Sequence, residues 1–279
     1  MDDDTRARTP RILIVAGSDS GGGAGIQADI KTVTMFGGHA MTAITAITAQ
    51  NTLGEAAVMP VPTEMVLEQI DVVVSDLGVD AVKIGMIGSA ETAVALADWL
   101  EAMDGVPIVF DPVMVASSGA ALADDATIAA FDRLARAATV TTPNLPELEA
   151  LTGEKIATLE EMVVAALGLA RRIGGAVLAK GGHLDHGALT DVLAEPDGTV
   201  RRWEAERIET LNTHGTGCTL ASAIACGLGQ GRSVADSIDR ARVYVQLAIR
   251  AAPGFGRGHG PMGHALATVP WNLIHRIVE

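Results

Sequence analysis

Short apolar runs, many of them β-branched, alternate along the chain with longer segments whose apolar residues recur at helical spacing. The short runs predict strands at residues 12–17, 41–49, 81–86, 108–113 and 176–180. The longer segments predict helices at residues 26–36, 63–77, 90–103, 124–136 and 159–173. In the first of these helices, Ile26, Ile30 and Val33 follow the i, i+4, i+7 spacing of one buried stripe. Strands that are apolar on both faces and alternate with helices indicate a mostly parallel sheet covered on both sides, an α/β fold.

The pattern changes after residue 180. Residues 188–195 and 199–207 are separated by Pro196-Asp197-Gly198, a turn signal, so they predict an antiparallel hairpin. Two further helices are predicted at residues 217–229 and 233–250, before a glycine- and histidine-rich segment. Because neither a linker nor a solenoid repeat divides the chain, we expect a single domain at residues 11–279. Residues 1–10 are predicted to be a disordered acidic tail.

Composition narrows the possible partners. The 279 residues carry a formal net charge of −14, and only 3% are aromatic. Nucleic acid needs a surplus of Lys and Arg, and single strands need aromatic platforms, so neither is an expected ligand. Uncharged stretches at residues 32–54 and 210–231 are interrupted by polar residues, so no bilayer span is expected. Two cysteines, Cys218 and Cys226, provide no disulfide framework. We therefore expect a soluble cytoplasmic protein.

The most informative segment is residues 212–218, NTHGTGC, which leads into a predicted helix. Glycines before a helix let backbone N–H groups face an incoming anion, and the helix N-terminus adds partial positive charge. Such a place suits a phosphoryl group. Cys218 would lie in the first turn, where thiol pKa values are usually lowered. The alternative is a plain glycine turn into a helix that carries a buried cysteine.

A second glycine-rich segment, residues 17–25, follows the first predicted strand and precedes the first predicted helix. This order favours a ligand that approaches the backbone closely. A dinucleotide fingerprint can be fitted at residues 23–28, but the acidic residue expected about 20 positions later is absent. The chain also has no Gly-Lys pair, which excludes a P-loop.

Polar residues end several predicted strands, where open α/β sheets bind their ligands. Gln50, Asp111 and Lys180 hold such positions, and Asp29 in the first helix could face the same crevice. Each could equally be an ordinary solvated residue. Residues 144–147 are also two-sided: Asn144 and Glu147 could form a helix capping box or a hard-oxygen site near Mg²⁺.

Histidine spacing gives no metal signal. The pairs His183 and His186, and His259 and His264, occur without an H-E-x-x-H or C-x-x-C motif. They are interpreted as loop histidines.

Together these segments resemble the ribokinase-like superfamily, and within it the hydroxymethylpyrimidine/phosphomethylpyrimidine kinases of thiamine biosynthesis. The resemblance runs from about residue 12 to residue 264, nearly the whole chain. The matching segments, in chain order, are AGSDSGGGAGIQADIKT, TAITAQNT, KIGM, DPVM, TPNLPELEALTG, KGGH and NTHGTGCT. The first and last of these, in combination, are highly specific. The resemblance implies a three-layer αβα sandwich, often dimeric, that uses ATP and Mg²⁺.

The resemblance also implies residue roles. Gly215, Thr216 and Gly217 would form the anion hole for the transferred phosphoryl group, and Cys218 would stand where sugar-kinase relatives hold an Asp base. The implied contacts to the pyrimidine substrate are Gly17, Asp29, Gln50, Met86 and Val113. The implied positions near the ATP phosphates and Mg²⁺ are Lys180, Asp111, Asn144 and Glu147.

Three other functions are compared with this one. A pyridoxine or pyridoxal kinase has a similar scaffold and substrate, although residues 50–52 (QNT) and the HGTGC and KGGH segments favour the pyrimidine enzyme. Dual activity on both rings stays open. A catalytically inactive binding protein would not need Cys218, Lys180 and Asp111 together. A cysteine-nucleophile enzyme would need a base, for which His214 is the nearby candidate, and would leave the phosphate-binding segments unexplained.

Overall fold

The computed structural model describes residues 9–115, 122–182 and 189–266. The strands are β1 (Arg11–Asp19), β2 (His39–Asn51), β3 (Gly54–Pro60), β4 (Ala81–Ile84), β5 (Ile108–Phe110), β6 (Val140–Thr141), β7 (Ala176–Ala179), β8 (Leu189–Ala194) and β9 (Val200–Ala205). The helices are α1 (Gly25–Met35), α2 (Thr63–Leu77), α3 (Ala90–Glu101), α4 (Asp125–Ala137), α5 (Leu145–Thr152), α6 (Leu159–Ile173), α7 (Thr216–Gly229) and α8 (Val234–Arg250).

Within these described residues, the strands form one sheet in the order β3-β2-β1-β4-β5-β6-β7-β8-β9. The neighbours from β2 to β7 in this order pair in parallel, whereas β3, β8 and β9 pair antiparallel. The chain passes from β1 to β2 on one side and later to β4 on the other. This reversal next to β1 opens a crevice at the carboxyl ends of the strands, the usual ligand site of open α/β sheets.

Helices cover both faces of the sheet because the central strands are apolar on both faces. Along β1, Leu13 and Val15 pack into one core with α2 to α6, while Ile12 and Ile14 pack into a second core with α1, α7 and α8. All four side chains are fully buried. Alternation at period two sends them to opposite faces. The three-layer αβα fold expected from the sequence is confirmed.

The predicted elements agree with the structure except at short strands and ends. Helices α2 and α6 have the predicted bounds, and β8 and β9 form the predicted antiparallel hairpin. Strands β3 and β6 were not predicted, and the predicted strand ends at residues 86 and 113 extend too far. Pro10 was assigned to the tail, but it is buried and its carbonyl accepts the N–H of His39 at 2.8 Å. Residues 1–8 lie outside the described residues.

The length and hydropathy of the helices bear on membrane insertion. Among the described residues, none of the helices is both long enough and apolar enough to cross a bilayer.

Candidate active site

A cavity of about 930 Å³ opens at the carboxyl ends of the parallel strands. Its lining includes residues from the ends of β1, β2, β4, β5, β6 and β7 and from the start of α7. The predicted site residues on this lining are Gly17, Gln50, Met86, Asp111, Val113, Asn144, Glu147, Lys180, Gly215, Thr216, Gly217 and Cys218. Residues from distant parts of the sequence therefore share one cavity.

Asp29 is the predicted substrate contact that does not line this cavity. Its side chain is fully buried in α1, where Lys83 Nζ lies 2.9 Å from Oδ2 and the Ser222 hydroxyl donates to Oδ1 at 2.7 Å. Lys83 reaches the cavity wall in its place. A direct contact between Asp29 and the substrate therefore stays a prediction, and the structure shows the carboxylate held by two internal partners away from the cavity lining.

The first glycine-rich segment is folded around the carboxylate of Asp19, which ends β1. Its Oδ1 accepts the N–H of Gly21 at 2.7 Å, and its Oδ2 accepts those of Gly23 and Ala24 at 2.9 and 2.8 Å. Burial would raise the pKa of Asp19, but hydrogen bonds, the strongest from His214, hold it well below its usual range. The carboxylate therefore stays ionised and anchors the loop.

The second glycine-rich segment packs directly against the first. Gly215 is the N-cap of α7 with φ of 83°, a left-handed conformation that favours glycine. A Cβ on Gly215 would lie 2.0 Å from the carbonyl oxygen of Gly23. This close backbone contact requires glycine and places the start of α7 at the cavity, where the positive end of the helix can meet an anion.

Charged groups of both signs meet beside this helix start. Lys180 Nζ lies 2.8 Å from Asp111 Oδ1 and 3.9 Å from Glu147 Oε2. A Cβ on Gly217 would lie 3.3 Å from both Lys180 Nζ and Asp111 Oδ2. The first turn of α7 therefore lies directly against the Lys180–Asp111 pair. An ammonium beside a helix N-terminus suits a polyphosphate.

Glu147 is held in a buried position by its neighbours in α5. The Asn144 side chain accepts the N–H of Glu147 at 2.9 Å, and Glu147 Oε2 accepts the N–H of Asn144 at 2.7 Å. The capping box considered for these residues is thus present. Burial, with a contribution from Asp111, raises the pKa of Glu147 to about 7 although Lys180 acts against it. Its carboxyl group would be stabilised by further positive charge.

Cys218 lies in the first turn of α7, as predicted, but its ionisation differs from the expectation. Burial raises the pKa of its thiol to about 11, even though Lys83 and the N–H of Gly25 favour the thiolate. The expected lowering at a helix N-terminus is therefore wrong here, because loss of solvent outweighs the helix and the nearby cation. Cys226 lies in the same helix, and both thiols are free.

Asp19 and Lys83 are residues of the site that the sequence patterns did not indicate, and the contact of His214 with Asp19 was not predicted either. Asp19 and His214 lay inside motifs that were noted for their glycines. Lys83 had a signal of its own, since a charged residue in the wholly buried strand β4 requires a partner. The histidine pair at residues 183 and 186 lies outside the described residues.

Among the described residues, no cluster of three or more His, Cys, Asp or Glu side chains could hold a metal ion by itself. His264 instead makes an internal contact: its Nε2 lies 2.9 Å from the Thr219 hydroxyl, at the start of α7.

Comparison with known proteins identifies the family to which the chain belongs. The family model described as phosphomethylpyrimidine kinase matches residues 19–263. The chain belongs to the phosphomethylpyrimidine kinase family. A hydroxymethylpyrimidine/phosphomethylpyrimidine kinase of Rhizobium meliloti is 50% identical over 90% of this chain and 96% of its own length. The thiamine biosynthesis bifunctional protein ThiED of Geobacter sulfurreducens is 49% identical over 94% of this chain, which spans only 54% of that longer protein.

Solved structures of related kinases have the same fold as this chain. A phosphomethylpyrimidine kinase of Clostridium difficile 630 aligns with a TM-score of 0.76 at 36% identity, covering 87% of this chain and all of that one. An ADP complex of a Bacillus subtilis pyridoxal kinase aligns with a TM-score of 0.84 at 33% identity, covering 92% and 98% of the two chains. The ribokinase-like architecture inferred from the sequence is thus confirmed, and the chain is a kinase-family phosphotransferase.

Proposed function

We propose that the chain transfers the γ-phosphoryl group of ATP to 4-amino-5-hydroxymethyl-2-methylpyrimidine and then to the resulting monophosphate. The observation that carries the proposal is the helix start at Gly215–Cys218, packed against Lys180 and Asp111 in a cavity of a phosphomethylpyrimidine kinase family member. Phosphoryl transfer depends on positioning and charge neutralisation more than on covalent help. A helix N-terminus and a buried ammonium supply both.

The ATP phosphates would bind between the start of α7 and Lys180. Burial would lower the pKa of Lys180, but Asp111 and Glu147 raise it, so the side chain stays a cation. Its ammonium can follow the γ-phosphoryl oxygens while the N–H groups of Gly215, Thr216 and Gly217 bind the charge that develops during transfer. ATP use is supported by the ADP-bound relative with the same fold.

The donor set at Asp111 and Glu147 fits Mg²⁺. Both side chains are almost fully buried, at 3% and 6% exposure, and both present hard carboxylate oxygens toward Lys180. Mg²⁺ in kinases is usually held by one or two carboxylates together with substrate phosphates and water. With ATP bound, these two residues would hold the ion, and the ion would neutralise phosphate charge. The Thr142 hydroxyl donates to Asp111 Oδ1 at 3.0 Å and orients that carboxylate.

The acceptor would bind at the opposite part of the cavity, between Gly17, Gln50, Met86 and Val113. A Cβ on Gly17 would lie 3.0 Å from the Met86 sulfur, so a larger residue would push the thioether into the space for the ring. Met86 and Val113 offer flat apolar walls, and the Gln50 amide offers a donor and an acceptor. These features suit a small heteroaromatic ring that carries an amino group.

Cys218 would serve as the proton acceptor in the first step. Cys218 and Lys83 both line the cavity, and the Lys83 ammonium favours the thiolate. An alcohol must lose its proton as the P–O bond forms. The monophosphate acceptor of the second step is already ionised near neutral pH and needs no base. The two steps should therefore depend differently on this residue.

A homodimer is proposed from the exposed edge of the sheet. Ile47 and Met59 are cross-strand neighbours on β2 and β3, and they are 47% and 59% exposed. Contiguous exposed apolar side chains often mark a protein–protein contact. Sedimentation of the wild type and of Met59→Lys tests this: a dimer that becomes a monomer supports it, and a wild-type monomer overturns it.

The free cysteines accord with a cytoplasmic location.

The kinase proposal is tested by incubating purified chain and Mg-ATP separately with the aminopyrimidine alcohol, its monophosphate and pyridoxal. We expect the mono- and diphosphate products by mass spectrometry, with ADP formed in equal amount. Lys180→Met is the matched inactive control, provided that its circular dichroism equals that of wild type. Product from pyridoxal alone would favour the vitamin B6 kinase. A folded wild type that forms no product from any acceptor would contradict both assignments.

A further inference from the structure

The side chains of Asp19 and His214 connect the two glycine-rich segments of the cavity. His214 Nε2 lies 3.1 Å from Asp19 Oδ2, although the two residues are 195 positions apart. Both side chains are shielded, with 2% and 13% exposure, and both residues line the cavity. The contact therefore joins the loop on the acceptor side to the loop that starts α7.

The ionisation of Asp19 determines which of the two residues donates the hydrogen bond. The Asp19 carboxylate also accepts the backbone N–H groups of Gly21, Gly23 and Ala24. These bonds keep it ionised, so it can only accept. His214 therefore has an N–H at Nε2, and this N–H donates the hydrogen bond to Asp19. A shielded hydrogen bond to a charged acceptor is stronger than one between neutral groups.

The packing around His214 allows little adjustment. A Cβ on Gly23 would lie 2.6 Å from His214 Cδ2, so the imidazole ring rests directly on the backbone of the first loop. The backbone N–H of His214 donates to the carbonyl of Gly260 at 3.2 Å, which fixes the main chain on the other side. The next residue is Gly215, the first residue of the phosphate cradle. The position of the ring therefore sets the position of the cradle.

We infer that Asp19 and His214 are positioning residues that set the distance between the acceptor oxygen and the transferred phosphorus. The inference rests on the proposed function, in which the acceptor binds beside the first loop and the phosphoryl group beside Gly215. Neither residue needs to touch a reacting atom. In-line transfer requires both groups at near-contact distance, so a small shift between the loops is costly.

The variants separate positioning from folding. His214→Leu removes the donor, whereas His214→Gln keeps an N–H that can reach Asp19. Lys31→Ala is the matched control, because Lys31 Nζ donates to the Gly22 carbonyl at 2.7 Å on the exposed side of the same loop. Each variant is measured for transfer to the aminopyrimidine alcohol, for slow ATP hydrolysis to water, and for the Kd of each substrate by calorimetry.

We expect His214→Leu to lower kcat for transfer by about 10- to 100-fold, the usual cost of misplacing a reactant by about 1 Å. Hydrolysis to water should stay within about twofold, because water needs no positioning by the first loop. The Kd of ATP and the Kd of the aminopyrimidine alcohol should both stay unchanged. His214→Gln should recover most of the loss, and Lys31→Ala should match wild type. Adding Asp19→Asn to His214→Leu should cost little more than the worse single change, as expected for one shared contact.

Two results would overturn the inference. One is an unchanged kcat in His214→Leu, and the other is an equal fall of transfer and hydrolysis, which would indicate general damage to the cradle. If wild type phosphorylates pyridoxal but not the pyrimidine, only the proposed acceptor is overturned. The same ratios are then measured with pyridoxal. If His214→Leu does not fold, His214→Gln against Lys31→Ala decides, and a loss in His214→Gln of transfer and hydrolysis alike counts against the inference.

Discussion

Lys83 Nζ and Asp29 Oδ2 lie 2.9 Å apart, and neither side chain has any exposure to solvent. Burial alone would lower the pKa of Lys83, but Asp29, with Cys218 and Asp111, raises it, so the ammonium stays charged. The Ser222 hydroxyl satisfies the second oxygen of Asp29. The pair thus places a cation from β4 at the wall of the cavity that Cys218 also lines. A charge so deeply buried is tolerated only with its partner.

The first prediction concerns this pair. Lys83→Met should lower the free energy of unfolding by about 3–5 kcal/mol, because it leaves the Asp29 carboxylate buried without its cation. The double variant Lys83→Met/Asp29→Leu should recover much of this loss, since no unpaired charge remains. Urea unfolding of wild type, Lys83→Met, the double variant and Lys155→Met provides the comparison. If Lys83→Met costs no more than an exposed ion-pair variant such as Lys155→Met, the pair is not a buried charge pair in solution.

Two glycines with similar φ angles allow the cost of backbone strain to be distinguished from the cost of a steric clash. Gly231 has φ of 77° and open space around its Cβ position, whereas Gly215 has φ of 83° and faces the Gly23 carbonyl at 2.0 Å. Gly231→Ala should cost about 1–2 kcal/mol, the price of a left-handed non-glycine residue. Gly215→Ala should cost more and should also lower kcat, because the cradle must move. Thermal unfolding and kinase assays check this, and equal behaviour of the two variants would remove Gly215 from the cradle.

Much of the fold could be predicted from the spacing of apolar residues, because the long helices bury one regular apolar stripe. Helix α6 was predicted with its observed bounds, since Thr158 caps one end and Gly174 ends the other in a left-handed conformation. The short strand β6 has two residues, Val140 and Thr141, too few for any periodicity to be visible. Strand β3 was missed because its outward face is apolar and exposed instead of alternating.

The site was predictable where chemistry follows topology. Asp111 follows β5 and Lys180 follows β7, the two parallel strands on either side of β6, and the structure brings their charged atoms to 2.8 Å. The ion pair of Asp29 with Lys83 was not predicted, because helical position alone does not tell whether a carboxylate faces a cavity or an internal cation. The raised pKa of Cys218 could not be predicted either, because it depends on how much solvent the folded cavity excludes.

Gln50 should select the acceptor ring. Its amide is one of the groups that keep the pKa of Asp19 low, so its N–H faces that carboxylate and its carbonyl oxygen is left for the ring's amino group. Gln50→Met should weaken binding of the aminopyrimidine by about 1–3 kcal/mol, the usual cost of an unpaired buried polar group. The Kd of ATP, measured in the same calorimetric series, should not change. Unaltered pyrimidine affinity would make Gln50 an ordinary strand-end residue.

His264 should make stability depend on pH. Burial, with a smaller effect of Lys31, lowers the pKa of His264 to about 4, below its unfolded value near 6.5. The unfolded chain therefore binds the proton first, and stability is lost as pH falls from about 6.5 to about 4. This group alone contributes up to about 3 kcal/mol over that range. His264→Gln can keep the Thr219 contact without titrating, so urea unfolding at pH 7 and pH 5 should show a smaller drop than wild type. An identical drop would contradict the shift.

The last prediction follows from the protonation state of the two acceptors. With a pKa of about 11, the Cys218 thiol is protonated at neutral pH, and its thiolate fraction rises tenfold for each pH unit. If the thiolate takes the alcohol proton, kcat/KM for the alcohol should rise between pH 7 and pH 9. The value for the monophosphate should stay nearly flat, because that oxygen has already ionised.

Cys218→Ala should then lower kcat/KM for the alcohol by about 100-fold or more while leaving the monophosphate within about tenfold. Cys218→Ser is the matched control for shape, since a hydroxyl fills similar space but is a far weaker base than a thiolate. It should therefore resemble Cys218→Ala in the first step and wild type in the second. Equal losses in both steps would mean that the sulfur only shapes the pocket. A fully active Cys218→Ser variant would remove the thiol from proton transfer and leave the phosphate cradle and Lys180 as the catalytic apparatus.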